Sequence, residues 1–364
     1  MRFTWGNGYG AAPSSGTGSS PSNNQWGFEN RRTQVFFSGN VVDPSWKYLV
    51  GMAYDSQIDP YVRTADSFQI LYAQVTKTLG NGFSVTVGQQ NVAFTLQSQL
   101  FNAGMTQFGE YSLFEYAFGA GQQVGISAKW ESDMVRAMGG YYNAIFLPAG
   151  GSANSWNDQN NQGVALAGRA EVKLAGTWDQ FSKESSFKGE EFGLMAGAGL
   201  FWQTARETND VPAAGGTYGF APVGITVDAT AKFGGFNLIG QLLWQNSYAF
   251  DANSNDASTW GFNIQGGAFV TEDLEVFGAW NYNTISREAA NYLQVGANWY
   301  FAKNSMKMTV MGTIPVSATA TQQGGDYSAN YGLLPTGVDF AGAPSANGVT
   351  GDNFGLVVQL QLMF

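Results

Sequence analysis

Segments in which apolar and polar side chains alternate one by one recur along this chain. Over the last dozen residues the apolar and aromatic side chains on one face are Phe354, Leu356, Val358, Leu360, Leu362 and Phe364. The opposite face carries mainly Gly, Asn and Gln. A period of two is the spacing of a β-strand, because successive side chains point to opposite faces of the sheet. The pattern therefore predicts an all-β fold.

The same alternation is clear in residues 260–268 and 274–283. No stretch of about 18 consecutive apolar residues occurs, so no transmembrane helix is predicted. A bilayer accepts only helices or closed β-barrels, and a barrel strand needs about 9 to 11 residues. Trp and Tyr lie near the ends of many segments, as in the aromatic girdles of membrane barrels. We therefore expect a transmembrane antiparallel β-barrel, although periodicity alone also fits a soluble sheet protein.

Sixteen strands are predicted in a single barrel domain, residues 1–364. They cover residues 2–10, 31–42, 46–56, 67–79, 82–93, 121–131, 133–146, 163–175, 190–205, 218–233, 235–250, 259–270, 273–285, 291–301, 304–314 and 353–364. Short turns and long links alternate between them, and an even count places both chain ends on the periplasmic side. Residues 11–30 are expected to form one of the long external links. The link 176–189 is too long for a simple turn and is expected to be a periplasmic excursion.

The 94–120 link is expected to be one long third loop. Treating residues 111–118 as a strand would put the Gly80–Asn81 turn on the wrong side of the membrane. Loops of this length are usually functional. In a barrel of about sixteen strands, which is wide enough for a water-filled channel, such a loop can fold into the lumen and narrow it.

Composition excludes several classes of function. The chain has no Cys and no His, which removes Ser-His-Asp and Cys-His catalysis and the zinc sites built from those side chains. We expect no enzyme activity, no cofactor and no metal. Seventeen Lys and Arg against 27 Asp and Glu give a net charge of −10 without a basic cluster, so nucleic acid is not an expected partner. Only 12% of the residues are charged, about half the usual share.

Alternation also assigns charged side chains to the inner face of the barrel wall. The candidates for lining the pore are Lys47, Lys129, Arg169, Glu171 and Lys173. A charge on the lipid face costs about 2 to 4 kcal/mol at mid-depth, which favours the inward assignment. Mutual neutralisation of the last three on the wall is an alternative to a role in selecting solutes.

Two acidic residues of the third loop, Glu110 and Glu115, are candidates for the pore constriction. The alternative is that they lie on a solvated face of the loop. Arg31 and Arg32 are one strand step apart, so at most one of them is expected to point inward.

Short motifs in a consistent order resemble the porin O and P family, the phosphate-selective porins of Gram-negative outer membranes. They are Gln122–Ile126 directly after the third loop, Gly296–Phe301 and Lys307–Thr309, with weaker support from Ala175–Phe181 and the terminal Phe364. The resemblance implies a sixteen-stranded barrel, a homotrimer, passive passage of small hydrophilic solutes, and Phe364 as the C-terminal assembly signal. Phosphate selectivity does not carry over, because residues 94–120 contain no Lys or Arg.

These observations favour a porin of the outer membrane, non-selective or weakly cation-preferring. Its expected partners are outer-membrane lipid, lipopolysaccharide, the outer-membrane assembly machinery and small hydrophilic solutes. A structural barrel that anchors the envelope or a surface layer is the alternative, and a soluble all-β binding protein is a weaker one. The sequence begins without a charged region followed by an apolar stretch, so we expect that an export signal is missing. The missing part is either the export signal alone or the signal together with an N-terminal periplasmic segment.

Overall fold

The computed structural model describes residues 1–7, 24–56, 67–143, 164–203, 223–246, 258–284, 290–318 and 354–363. These residues form one large sheet of seventeen strands and a short α-helix. The elements are β1 (Arg2–Asn7), β2 (Asn24–Glu29), β3 (Arg32–Val41), β4 (Asp43–Asp55), β5 (Ser67–Gly80), β6 (Phe83–Asn91), α1 (Leu113–Phe118), β7 (Gln122–Glu131), β8 (Val135–Asn143), β9 (Val164–Ala175), β10 (Gly193–Gln203), β11 (Val223–Lys232), β12 (Phe236–Asn246), β13 (Ser258–Phe269), β14 (Leu274–Asn283), β15 (Ala290–Tyr300), β16 (Met306–Ala318) and β17 (Phe354–Leu362). None of the helices in the described ranges is long and apolar enough to cross a membrane.

Strands that follow one another in the chain are antiparallel neighbours from β3 to β17. The wall then continues from β17 to β1 and from β1 to β2, so the two ends of the chain meet. Arg2 marks this junction, since it lies opposite Gln359 on one side and Glu29 on the other. The sheet thus curls into the predicted barrel, and all sixteen predicted strands overlap a described strand.

Strands β2 and β3 form one interrupted traverse of the wall. Only Asn30 and Arg31 separate them, and the pairing changes from β1 to β4 at this point. Among the described residues no ladder joins β3 to β1, so the chain itself bridges the wall here. Seventeen strands therefore make sixteen traverses. The expected external link 11–30 needs correction, because its last part is β2, held by pairing with β1.

The short turns lie at one end of the barrel, and the β5–β6 turn depends on residues that tolerate positive φ. In the β5–β6 turn, Gly80, Asn81 and Gly82 have φ angles of 94°, 52° and 81°. Glycine adopts such angles without a steric penalty, and asparagine tolerates them. A Cβ on Gly82 would lie 2.0 Å from the carbonyl oxygen of Glu131, so glycine also allows this turn to lie against the end of β7.

The outward face of the wall is a continuous apolar surface. Its exposed side chains include Ile126, Leu166, Leu200, Ile225, Val227, Leu238, Leu242, Ile264, Val276 and Val295. Exposed tryptophans near strand ends are Trp202, Trp244, Trp260 and Trp299. The inward face carries polar side chains instead, so the alternation seen in the sequence separates the two faces of the barrel. An apolar exterior around a polar interior is the arrangement of a barrel that spans a membrane.

Candidate functional site

The segment between β6 and β7, residues 92–121, folds into the lumen as expected. The Val92 N–H donates to the Gly121 carbonyl at 3.0 Å, which closes the neck of this inserted loop. Phe94 and Phe108 contact Phe201 and Phe277 on inward faces of the wall, with ring centroids 4.8 and 4.7 Å apart. Helix α1 lies within this loop, and the Glu115 N–H donates to the Ser112 hydroxyl at its start. The loop is therefore a packed body inside the barrel.

A cluster of charges ties the inserted loop to the start of the wall. Glu110 is buried and forms ion pairs with Arg2, with Arg31 (Nε to Oε1, 3.2 Å) and with Arg32 (Nη2 to Oε2, 3.4 Å). The Tyr116 hydroxyl donates to Glu110 Oε2 at 3.2 Å. Burial alone would raise the pKa of Glu110, but the three guanidinium groups and the Tyr116 hydroxyl lower it to about 2. Glu110 is therefore ionised at neutral pH, and its carboxylate is held in place by the three arginines.

The expectation that at most one of Arg31 and Arg32 points inward is wrong. Both reach the buried carboxylate of Asp55, Arg32 through a 2.8 Å contact from Nε to Oδ2. The break between β2 and β3 shifts the alternation by one residue, which lets two consecutive side chains face the lumen. Sequence alternation could not show this, because the break is visible only in the pairing of the strands.

Glu115, the second candidate for the constriction, is also buried. Its Oε1 accepts a hydrogen bond from the Thr95 hydroxyl at 2.9 Å, inside the inserted loop. Glu110 and Glu115 thus lie in one loop, but neither faces open water in the described structure. Their contacts fix the shape of the loop and its position on the wall.

A second charged cluster lies on the inner wall around Arg169. Its guanidinium makes a two-pronged pair with Asp228, both contacts at 2.7 Å, and a 2.7 Å contact with Glu171. Arg136 approaches the other oxygen of Glu171 at 2.6 Å. Arg169 also donates to the Phe94 carbonyl at 3.3 Å, so this cluster holds the beginning of the inserted loop.

The segment between β9 and β10, residues 176–192, is not a simple periplasmic excursion. It turns back into the barrel and buries Phe181, Phe187 and Glu184. The Glu184 carboxylate accepts hydrogen bonds from the Gln107 N–H at 2.8 Å and from Gln265 at 2.9 Å. Burial raises the pKa of Glu184, against the effect of its hydrogen-bond donors. This returning segment therefore lies against the inserted loop. It closes that side of the lumen at the end of the barrel where the short turns lie.

Two buried lysines fasten these inner segments to the wall. Lys232 donates to the carbonyls of Lys183 and Ser185 at 2.7 and 3.0 Å. Lys307 donates to the carbonyl of Thr106 in the inserted loop at 2.6 Å. The alternation of β11 and β16 already places both lysines inward, so the sequence carried a signal for them that the search for pore-lining charges missed.

The two halves of the inner wall differ in their access to water. Inward polar residues of β11–β16 are buried under the inner segments: Thr226, Asn237, Gln241, Asn263, Gln265, Gln294, Asn298 and Thr309. On β3–β8 the inward residues toward the short turns remain open or half-open: Ser38, Asn40, Lys47, Thr76, Thr86, Ser127 and Lys129. Toward the other ends of these strands the buried residues are Asp55, Tyr72, Gln90, Gln123 and Tyr142. The open space shown by these exposures therefore lies on one side, along the short-turn half of β3–β8.

The predicted pore-lining residues fall into the same two groups, those on the open wall and those on the filled wall. Lys47 is exposed, and Lys129 is half-exposed in a 2.7 Å ion pair with Glu131. Arg169 and Glu171 are buried in the second cluster. Lys173 donates to the Gly176 carbonyl at 3.0 Å, and its ammonium lies over the ring of Trp178. Phe364, the proposed assembly signal, lies outside the described residues.

Comparison with known proteins shows which solved structures have a similar architecture. No family model matches the chain, and no curated protein does. The anion-selective porin from Comamonas acidovorans is 14% identical, with 99% of this chain and 97% of that chain covered and a TM-score of 0.58. OmpT of Vibrio cholerae is 12% identical over 98% and 94%, with a TM-score of 0.55. Its in-vitro folded trimer form is 11% identical over 98% and 96%, with a TM-score of 0.52.

These similarities define the class of fold. The chain is a porin-type transmembrane β-barrel with a loop folded into its lumen, of the kind found in outer membranes. The identities are too low to carry more than the fold. The resemblance to the porin O and P family stays a prediction.

Proposed function

We propose that this barrel is an outer-membrane channel through which small hydrophilic solutes diffuse, and that it catalyses no reaction. The observation that carries the proposal is the one-sided open lumen, with open or half-open polar side chains toward the short turns of β3–β8 and a filled interior elsewhere. The passage is narrow and off-centre, because two inner segments occupy the rest of the barrel. Lys47 and Lys129 face the passing solute, whereas Glu110, Glu115, Arg169, Glu171 and Lys173 shape the constriction by holding its parts in place.

The charges of the interior favour weak ion selectivity. In the first cluster, three arginines meet the carboxylates of Glu29, Asp55 and Glu110. In the second, Arg136 and Arg169 meet Glu171 and Asp228. Each cluster is balanced in formal charge, so neither presents a strong field to an ion in the open lumen.

A homotrimer in outer-membrane lipid and lipopolysaccharide, delivered by the outer-membrane assembly machinery, completes the proposal. The apolar exterior supports a lipid environment. A trimer is supported by the trimer form of Vibrio cholerae OmpT and by the resemblance to porins. The alternative remains a structural barrel of the envelope with little channel activity, for which the filled half of the lumen is the supporting feature.

Single cysteines test the proposed passage, because the chain has none of its own. Thr76→Cys lies on the half-open wall and Thr226→Cys on the filled wall. In planar bilayers we expect stepwise openings from both proteins. A charged methanethiosulfonate reagent should lower the conductance of Thr76→Cys at least twofold and leave Thr226→Cys unchanged.

Three other outcomes would argue against the proposal. Equal modification of both cysteines would contradict an off-centre lumen. A strongly anion-selective or cation-selective reversal potential under a salt gradient would contradict the balanced clusters. Well-folded protein without any openings would contradict the channel itself and favour the structural barrel.

A further inference from the structure

An aromatic platform lies inside the barrel where the inserted loop approaches β3–β5. The rings of Phe101 and Phe36 are 4.6 Å apart, and Phe101 stacks parallel to Tyr72 at 6.5 Å. The Tyr72 hydroxyl lies within hydrogen-bond distance of two acceptors, Asn91 Oδ1 at 3.0 Å and the Phe101 carbonyl at 3.2 Å. These contacts fix one ring of the loop against two rings of the wall.

A glycine in β4 makes room for this arrangement. A Cβ on Gly51 would lie 2.8 Å from Tyr72 and 2.9 Å from Phe36, so any side chain here would lift both rings off the strand. Leu49 packs beside them at the next inward position. The rings of Phe36 and Tyr72 therefore pack close to the strand, tilted by 50° to one another, and form an apolar surface with Leu49.

Phe101 is exceptional within the inserted loop. Its neighbours Leu100 and Asn102 are 4% and 8% exposed, whereas Phe101 is 44% exposed. The contacts with Phe36 and Tyr72 place this exposed ring on the open side of the lumen. A phenylalanine that only anchored the loop to the wall would be buried, as Phe94 and Phe108 are.

An exposed cation lies further along the same wall. Lys47 is opposite Asn40, four residues along β3 from Phe36, which is about 13 Å of strand. An extended lysine side chain covers at most about half of that distance, so the solute itself has to bridge the remainder. Among the described residues Lys47 has no ion pair, whereas Lys129, the other lysine on the open wall, is paired with Glu131. Ser38 and Asn40 supply exposed polar groups between the rings and the ammonium.

We propose that this platform and Lys47 form a binding site for aromatic carboxylates on their way through the channel, an inference that rests on the proposed channel function. The ring of the solute stacks on Phe101 and packs against the tilted ring of Phe36, and its carboxylate pairs with the Lys47 ammonium. A neutral sugar could use the rings and the polar groups but has no need of an unpaired cation, so the charge favours the anion.

The test uses trans-cinnamate as the probe, with cinnamyl alcohol, propionate and maltose as controls. Binding to the folded protein in detergent is measured by titration calorimetry, and block of the open channel is measured separately in planar bilayers. We expect Phe101→Leu to weaken cinnamate binding about tenfold. We expect Lys47→Gln to weaken it about threefold at low salt, with no difference from the wild type in 1 M salt.

Matched variants separate the site from general effects. Phe83→Leu changes an exposed ring on the outer face, and Lys77→Gln changes a lysine that lies over the Trp46 ring near Asp43, so both should bind cinnamate like the wild type. Cinnamate binding without channel activity would overturn the proposed function and leave the site standing. Channel activity without cinnamate binding would overturn the site alone. Maltose binding as strong as cinnamate binding, with no effect of Lys47→Gln, would overturn the assignment to anions in favour of a carbohydrate.

Discussion

Glu110 shows how a single side chain can set the position of an entire loop. Its carboxylate is 1% exposed and sits among three guanidinium groups that come from β1, from β3 and from the break before β3. A charge that is removed from water must be paired, and removing one partner leaves the others buried without compensation. The inserted loop is thus tied to the point where the two ends of the wall meet.

Glu110→Gln should lower the free energy of unfolding by about 3 kcal/mol, because two buried arginines and the partly buried Arg32 lose one of their counter-charges. The check is urea unfolding of the folded barrel, followed by tryptophan fluorescence. Glu191→Gln, at an exposed position beside β10, is the matched control and should change the free energy by less than about 0.5 kcal/mol. Equal effects of the two substitutions would show that the cluster does not stabilise the fold.

Two buried carboxylates outside the strands should give opposite responses to acid. The pKa of Glu110 is held at about 2, below its usual 4.5, so its contribution is complete above pH 4.5 and is lost as pH falls toward 2. Burial raises the pKa of Glu184, so its ionisation destabilises the fold at high pH and this effect disappears on acidification.

Differences between wild type and variants isolate the two groups. The gap in unfolding free energy between wild type and Glu110→Gln should shrink between pH 4.5 and pH 2. Glu184→Gln should remove the gain in stability that the wild type shows as the pH falls from 7 toward 4.5. A gap between wild type and Glu110→Gln that stays constant down to pH 2 would contradict the lowered pKa.

At the scale of elements, the returning segment 176–192 and the inserted loop support one another. The Glu184 N–H donates to the Met105 carbonyl at 3.0 Å, and the Glu184 side chain binds the backbone of Gln107. Gln107 in turn donates to Asn237 and Glu275 on the wall at 3.0 and 2.6 Å. Release of either segment therefore removes partners from the other.

Lys232→Met should loosen the returning segment, because it leaves the buried carbonyls of Lys183 and Ser185 without their donor. We expect trypsin to cleave within residues 176–192 at least ten times faster, and single-channel conductance to rise. Lys77→Met, a half-exposed lysine beside Trp46, is the control and should leave both properties unchanged. Unaltered cleavage and conductance in Lys232→Met would mean that the segment is held by other contacts.

The strands could be predicted from the sequence, but the returning segment could not. Period-two alternation is a local property, so β12 and β13 were visible from their own residues. The inward turn of residues 176–192 depends on Lys232, Gln265 and Glu275, which lie far away in the chain. The same reason hid the pairing of Glu110 with Arg2, since a carboxylate in a loop looks solvated until its distant partner is known.

At the scale of the whole molecule, the barrel combines an apolar exterior with an interior that is packed on one side and open on the other. Packing two segments against β9–β17 makes that half of the barrel resemble the core of a globular protein. Several of the polar side chains there hydrogen-bond to one another, as when Asn263 donates to Asn281 at 2.9 Å and Asn281 donates to Gln294 at 3.1 Å. In the proposed channel, solutes pass along the open side.

The exterior should respond to charge according to depth in a bilayer. Ile264 is exposed near the middle of β13, so Ile264→Arg in lipid vesicles should cost about 2 to 4 kcal/mol of unfolding free energy. Trp299 is exposed at the end of β15, where Trp299→Arg should cost about 1 kcal/mol or less. Reversible urea titrations in thin-lipid vesicles measure both values. A soluble all-β protein would tolerate arginine equally at these two exposed positions, so equal small costs would rule out the membrane barrel, whereas a steep dependence on depth follows only if lipid covers the wall.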